Sequence, residues 1–219
     1  MYKGIALLVA LSLAACTEDT GTSTTTIPPG DPNAPVAVIE QLRSMLAAGD
    51  FEGASELTVP NQAALASLAE GATSGEVADA LENGDAEIAA NFWGGFAQGV
   101  GEVFTGAVTV EDQGSTTERG VEFFLVGVTP DSGTERLIIT RDVDGQRVDL
   151  FASFGAGMAE RMISPVEILL GASNQDARAI LAALQDVVPS LLVAATDESL
   201  SPEVVQSVLQ LVELITRVG

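Results

Sequence analysis

The spacing of apolar residues changes twice along the chain, and this pattern constrains the fold more than any other sequence feature. Between residues 36 and 104 apolar side chains recur every three or four positions, as Val38 and Leu42 do, which is typical of amphipathic helices. From about 108 to 154 they alternate with polar residues or form short runs, which predicts strands. After residue 164 the helical spacing returns. The order predicts an α+β protein with N-terminal helices on a four-stranded antiparallel sheet, plus a C-terminal helical hairpin.

The predicted elements follow from turn and capping residues. One helix ends at Gly49-Asp50, and the later helical segments are 61–70, 75–81 and 86–104. The strands are expected around Val108 and Val110 and at 121–128, 137–143 and 148–154. Further helices are expected to open at Ser164-Pro165, Ser173 and Ser201-Pro202, with Pro189 bending or restarting the hairpin's first arm.

Asp144-Gly145 predicts a two-residue hairpin turn between the last two strands. That register places Arg141 opposite Val148 and lets Asp142 face Arg147 in a cross-strand ion pair. The same aspartates lack the first and last ligands of an EF-hand loop, so no metal site is predicted.

The first fifteen residues have the order of a secretory signal peptide: Lys3, then the apolar run Ile5–Leu13, then small residues. Leu13-Ala14-Ala15-Cys16 resembles the lipobox of bacterial lipoproteins, and Cys16 is the only cysteine of the chain. The resemblance implies cleavage before Cys16, acylation of this residue, and attachment to the extracytoplasmic face of a bacterial membrane.

The expected organisation has four parts. Residues 1–15 form the signal peptide, and 16–35 comprise the lipidated cysteine and a flexible linker rich in threonine and proline. Residues 36–163 form the α+β domain and 164–219 the C-terminal helical extension.

The composition excludes several kinds of chemistry. The chain has no histidine, Lys3 is its only lysine, and its net charge is −22. A Ser-His-Asp system, a Schiff-base lysine and a His/Cys zinc site therefore lack their parts. Nucleic acid is excluded as a partner because it is bound by basic surfaces. No cofactor and no catalytic residue is predicted, and the glycine-rich run 94–101 favours close helix packing or a bent helix end over a phosphate loop.

The segment Leu46-Ala47-Ala48-Gly49-Asp50-Phe51-Glu52-Gly53-Ala54, followed by the strand block 108–154, resembles the NTF2-like (cystatin-like cone) domain of bacterial lipoproteins. The match covers roughly residues 34–155. It implies helices packed on a curved sheet, often around a cavity that binds a small molecule or, in a few members, performs isomerase or dehydratase chemistry. The catalytic members usually employ Asp-His or Tyr-Asp sets, which the chain beyond Cys16 lacks, so the resemblance favours a binding or structural role over catalysis.

The second predicted strand is apolar on both faces, with Phe124 and Val126 on one and Phe123 and Leu125 on the other. The C-terminal hairpin is the expected cover for the second face, and a partner subunit in a homodimer is the alternative.

Two candidate features of a cavity follow from the predicted register and helix faces. Glu122 is expected beside Arg141, either at a cavity mouth or as a structural ion pair. Trp93 is the candidate cavity aromatic.

The expected function is a non-catalytic, membrane-anchored module that binds a small ligand or an envelope protein outside the cytoplasm. A carboxylate-dependent hydrolase or isomerase, with Trp93 as a stacking surface, is the first alternative. A structural or assembly protein acting through its C-terminal helices is the second.

Overall fold

The computed structural model describes residues 34–131 and 133–217, without the side chains of 100–103. The signal peptide, Cys16 and the linker up to residue 33 lie outside the described residues. The helices are α1 Pro35–Ala48, α2 Phe51–Glu56, α3 Gln62–Ala66, α4 Ser74–Asn83, α5 Ala86–Thr105, α6 Leu150–Gly171, α7 Gln175–Gln185, α8 Val188–Ala194 and α9 Pro202–Thr216, with a 3-10 helix at Ser67–Glu70. The strands are β1 Val108–Glu118, β2 Val121–Pro130, β3 Arg136–Asp142 and β4 Gln146–Val148.

The predicted fold class is confirmed: the protein is α+β, and its four strands form an antiparallel meander in the order β1-β2-β3-β4. One face of the sheet carries Val126, Val128 and Ile138, all at most 1% exposed, and they share a core with Leu42 of α1 and Trp93 of α5. Burial of this face holds the N-terminal helices on the sheet.

The turn between β3 and β4 differs from the predicted one. It contains three residues, Val143 to Gly145, and Asp144 (φ 53°) and Gly145 (φ 109°) both have left-handed backbone. The extra residue shifts the register by one, so Arg141 pairs with Arg147 and not with Val148. The predicted Asp142–Arg147 pair does not form, because Asp142 accepts the amide of Gly145 and the guanidinium of Arg147 donates to the Val143 carbonyl.

β4 ends at Val148, so the predicted strand 148–154 is wrong. Asp149 caps a helix instead: its Oδ1 accepts the amide of Ala152 at 2.8 Å. The residues that follow bury one helical face. That face consists of Phe151, Gly155, Met158, Ala159, Met162, Val166 and Leu169.

The predicted helix start at Ser164 is also wrong, since Ser164 and Pro165 lie inside α6. A proline in a helix interior costs about 3 kcal/mol, but Met162, Val166 and Leu169 are all at most 3% exposed on either side of it. Their packing keeps the helix continuous, and the predicted domain boundary between 163 and 164 falls within it.

The remaining C-terminal starts agree more closely with the sequence. Ser201 caps α9 as predicted, and the arm containing Pro189 restarts after α7 with a bend of 50° between α7 and α8. The cap of α7 is Asn174, one residue after the predicted Ser173.

The helix α6 connects two cores. It contributes Met162 and Val166 to a C-terminal core with α7, α8 and α9, and Leu150 to the core beneath the sheet. A third, smaller cluster joins Phe123 and Ile139 of the sheet's second face to Ala152 of α6 and Val193 of α8. The C-terminal helices therefore cover one end of this face, as predicted.

Candidate functional site

The rest of the second sheet face borders a cleft of about 1110 Å³. Leu125, Leu137 and Ile139 form its back, and α5 and α6 form walls. Residues of α3, the following 3-10 helix and the loop between α8 and α9 complete the lining. The cleft thus lies where the sheet, the N-terminal helices and the C-terminal helices meet.

The interior of the cleft is apolar and aromatic. Phe92 and Phe96 reach it from α5 and Phe154 from α6, and all three side chains are half-buried. The ring centre of Phe154 lies 5.7 Å from that of Phe92 and 5.3 Å from that of Phe96. These distances suit tilted aromatic contacts, so the three rings support one another. Ile88 and Met158 extend the apolar lining.

Two helical glycines line the cleft. A Cβ on Gly95 of α5 or Gly157 of α6 would meet no atom within 4 Å. A larger side chain at either position would therefore extend into open space. A Cβ on the neighbouring Gly94 would instead lie 3.5 Å from a ring carbon of Phe51, which confirms close packing at this point of the glycine-rich run.

The charged lining residues lie at the rim, where all of them are exposed. Glu70 comes from the 3-10 helix, Glu135 from the residues before β3, and Asp197 and Glu198 from the loop between α8 and α9. Arg161 of α6 is the one basic side chain among the described lining residues. The rim is therefore acidic around an apolar interior.

Glu135 has a defined position over the sheet. A Cβ on Gly127 would collide with Glu135 Oε1, so the absent side chain of Gly127 makes room for this carboxylate. Gln113 of β1 donates from Nε2 to the same oxygen at 3.0 Å. Since Gly127 follows Leu125 at a spacing of two, the carboxylate lies on the sheet face that borders the cleft.

Trp93, the predicted cavity aromatic, does not line the cleft. It is fully buried, and its Nε1 donates to Thr58 Oγ1 at 2.8 Å. Its ring centre lies 5.2 Å from Phe92, 5.4 Å from Phe96 and 6.2 Å from Phe154. The indole thus forms the layer directly behind the aromatic lining. The spacing of Trp93, Phe92 and Phe96 along the sequence does not show which of these rings is covered by other residues and which one borders the cleft.

Glu122 and Arg141 both line a second, smaller pocket of about 410 Å³ at the end of the sheet, but they do not form the predicted ion pair. Glu122 accepts the hydroxyl of Ser115 at 3.1 Å on the neighbouring strand. Arg141 Nε lies 3.0 Å from Asp149 Oδ2, and among the described residues this is its ion pair. The β2–β3 register, in which Phe124 pairs with Thr140, places Glu122 and Arg141 on opposite faces of the sheet, and the cap of α6 supplies Asp149 as the partner of Arg141.

Asp149 is the centre of a buried polar group of residues. It is fully buried, caps α6, and accepts the hydroxyl of Ser190 at 2.8 Å on the same Oδ2 that faces Arg141. The Arg141 N–H is not directed at this oxygen as a hydrogen bond requires, so the contact is electrostatic. The set ties β3, α6 and α8 together, and none of its three residues lines the cleft.

Within the described ranges, no group of three or more histidine, cysteine, aspartate or glutamate residues is placed to hold a metal ion. In the same ranges no single helix is long and apolar enough to cross a membrane. The bent pair α7–α8 is long and apolar enough by length and composition only.

Comparisons with protein-family models, curated proteins and solved structures found no match to this chain.

Proposed function

We propose that this chain is an extracytoplasmic lipoprotein whose folded body binds a small, largely apolar ligand without converting it. The cleft carries this proposal. It is concave, lined by Phe92, Phe96 and Phe154, and has a small number of polar groups at its rim. This combination is typical of small-molecule sites.

The alternatives have less support. An acid–base enzyme needs carboxylates whose environments differ, whereas Glu70, Glu135, Asp197 and Glu198 are all exposed at the rim. An assembly surface needs a contiguous apolar patch, and among the described large apolar side chains only Ile168 and Leu209 are strongly exposed.

The anchor is proposed from the sequence around Cys16 and from the resemblance to NTF2-like lipoproteins. Two or three acyl chains hold a protein durably, because each buried CH₂ contributes about 0.8 kcal/mol. Replacing the thiol tests the anchor: Cys16→Ser protein is expected to carry no lipid and to leave the membrane fraction. Retention of both lipid and membrane partitioning by this variant would refute the anchor.

Ligand binding is tested with an apolar fluorescent probe such as N-phenyl-1-naphthylamine. Trp93 is the only tryptophan of the chain and lies directly behind the cleft, so its emission can be transferred to a bound probe. Saturable energy transfer is expected for the purified protein.

Two substitutions fill the cleft from opposite walls. Gly95→Leu and Gly157→Leu add side chains into open space, and both are expected to abolish probe binding while keeping the far-UV circular dichroism. Gly171→Leu is the matched control, because it also lies in α6 with open space around it but outside the cleft. Unchanged binding in both cleft variants would show that the cleft is not the site.

A further inference from the structure

We propose that the ligand carries an amine or quaternary ammonium group on its apolar body, and that Glu135 is its principal counter-charge. This inference rests on the proposed function and adds the chemical class of the ligand. It follows from the charge of the rim, the placement of one carboxylate and the aromatic lining.

The rim is complementary to a cation. Four carboxylates from three separate segments border one opening, against the single guanidinium of Arg161. The chain as a whole carries −22, so the long-range field also favours cations. A cleft bordered by one sign of charge with apolar walls concentrates ligands of the opposite sign.

Glu135 is the best placed of these carboxylates. Gly127 leaves the space in which it lies, and Gln113 holds Oε1 through a hydrogen bond of 3.0 Å. Among the described residues, Gln113 is the hydrogen-bond partner of this side chain. The carboxylate therefore lies beside the apolar sheet face and has its second oxygen available to a ligand.

The aromatic lining favours the same ligand class. Phe92, Phe96 and Phe154 present ring surfaces within the cleft. The face of such a ring attracts an ammonium group, by about 0.5–1 kcal/mol where solvent is present and more where it is excluded. An amphiphilic cation can satisfy both the rings and the rim, whereas an anionic one would depend on Arg161 alone.

The test compares three amphiphiles with the same twelve-carbon tail: dodecyltrimethylammonium, dodecanol and dodecanoate. Each displaces N-phenyl-1-naphthylamine from the full-length protein, below the concentration at which it forms micelles. Dodecyltrimethylammonium is expected to displace the probe at concentrations roughly tenfold lower than dodecanoate, and added salt is expected to reduce the difference.

The role of Glu135 is tested by Glu135→Gln, which keeps the shape of the side chain. The variant is expected to bind dodecyltrimethylammonium about threefold more weakly, which is the effect of losing one exposed ion pair, and to bind dodecanol as the native chain does. Gly127→Ala is expected to act in the same way, because its Cβ displaces the carboxylate. Glu167→Gln is the control, since it makes the same change in net charge at an exposed position of α6 outside the cleft.

The outcomes separate the two proposals. If neither the probe nor any amphiphile binds, the proposed function fails. If the probe and dodecanol bind but the head group has no effect, or dodecanoate binds best, the proposed function stands and the cationic ligand class is refuted. Equal effects of Glu135→Gln and Glu167→Gln would refute the role of Glu135.

Discussion

Removing the charge of Asp149 is expected to be among the most destabilising single changes in the chain. Asp149→Asn keeps one acceptor, Oδ1, for Ala152 N, because asparagine caps helices as well as aspartate does, but its amide nitrogen cannot accept the Ser190 hydroxyl that Oδ2 accepts. It therefore removes the attraction to Arg141, whose side chain is 15% exposed, together with the acceptor for Ser190. Breaking a buried ion pair costs about 3–5 kcal/mol, and the partial exposure of Arg141 places the expected loss near 3 kcal/mol.

Replacing Arg141 leaves the Asp149 carboxylate, which is more deeply buried than the guanidinium, without its partner. Arg141→Met keeps much of the apolar stem but leaves the carboxylate of Asp149 fully buried without its cation. We expect a loss of about 4 kcal/mol. The double variant contains neither charge, so no charge is left unpaired. We therefore expect its free energy of unfolding to be lowered by no more than the larger of the two single losses. The coupling between the two positions is then about 3 kcal/mol.

Urea denaturation measures these quantities, followed by Trp93 fluorescence and far-UV circular dichroism to check that unfolding has one transition. The exposed pair Glu213–Arg217 is the control: its side chains are 67% and 60% exposed, and Glu213→Gln is expected to cost less than about 0.5 kcal/mol. If the Asp149 and Arg141 losses simply add in the double variant, the two side chains are not coupled, and the network described here does not stabilise the junction of β3, α6 and α8.

Three further predictions follow from packing and capping. Gly155→Leu is expected to destabilise by about 1–3 kcal/mol in urea denaturation, because a Cβ there already lies 3.0 Å from Leu191 Cδ2, whereas Gly157→Leu two residues later is expected to be tolerated. Trp93→Phe removes the donor to Thr58 and leaves a space in the core, and a loss of about 2–4 kcal/mol is expected in thermal or urea unfolding monitored by circular dichroism. The backbone amide and the hydroxyl of Thr73 donate to the Glu76 carboxylate and hold the pKa of Glu76 below its ordinary value of 4.5. The stability that this cap contributes is therefore present above pH 4.5 and is lost as the pH falls through the lowered pKa. The difference in stability between the native chain and Glu76→Gln, measured by urea denaturation, should shrink from about pH 7 to about pH 3.

Local sequence signals predict most elements of this fold because they depend on neighbours along the chain. The stripe from Val38 to Leu46 and the cap at Ser201 each specify a helix without reference to distant residues. The segment 148–154 carries no such local signal, since a short apolar run suits a strand or a buried helix equally. Asp149 followed by Ala152 decides in favour of the helix, and this cap is visible in the sequence only if the preceding turn is read as three residues.

The cleft could not be predicted in the same way, because its lining extends from Ala63 to Leu200. Phe92 and Phe96 have the spacing of ordinary core residues, and periodicity identifies an apolar face without showing where its cover ends. Glycine gives no usable signal either, because Gly95 and Gly157 share their open surroundings with Gly99 and Gly171, which are helical but lie outside the cleft.

The length of α8 explains why the sheet remains partly uncovered. Its 7 residues span about 10 Å at 1.5 Å per residue, whereas the 10 residues of β2 span about 33 Å. Val193 reaches Phe123 and Ile139, whereas Leu125 and Leu137 border the cleft. An apolar sheet face of this kind is costly when it borders water, so a ligand that occupies the cleft is expected to stabilise the fold in proportion to its concentration relative to its dissociation constant. A rise in unfolding temperature with a bound amphiphile, absent in Gly157→Leu protein, therefore tests the same geometry without a fluorescent probe.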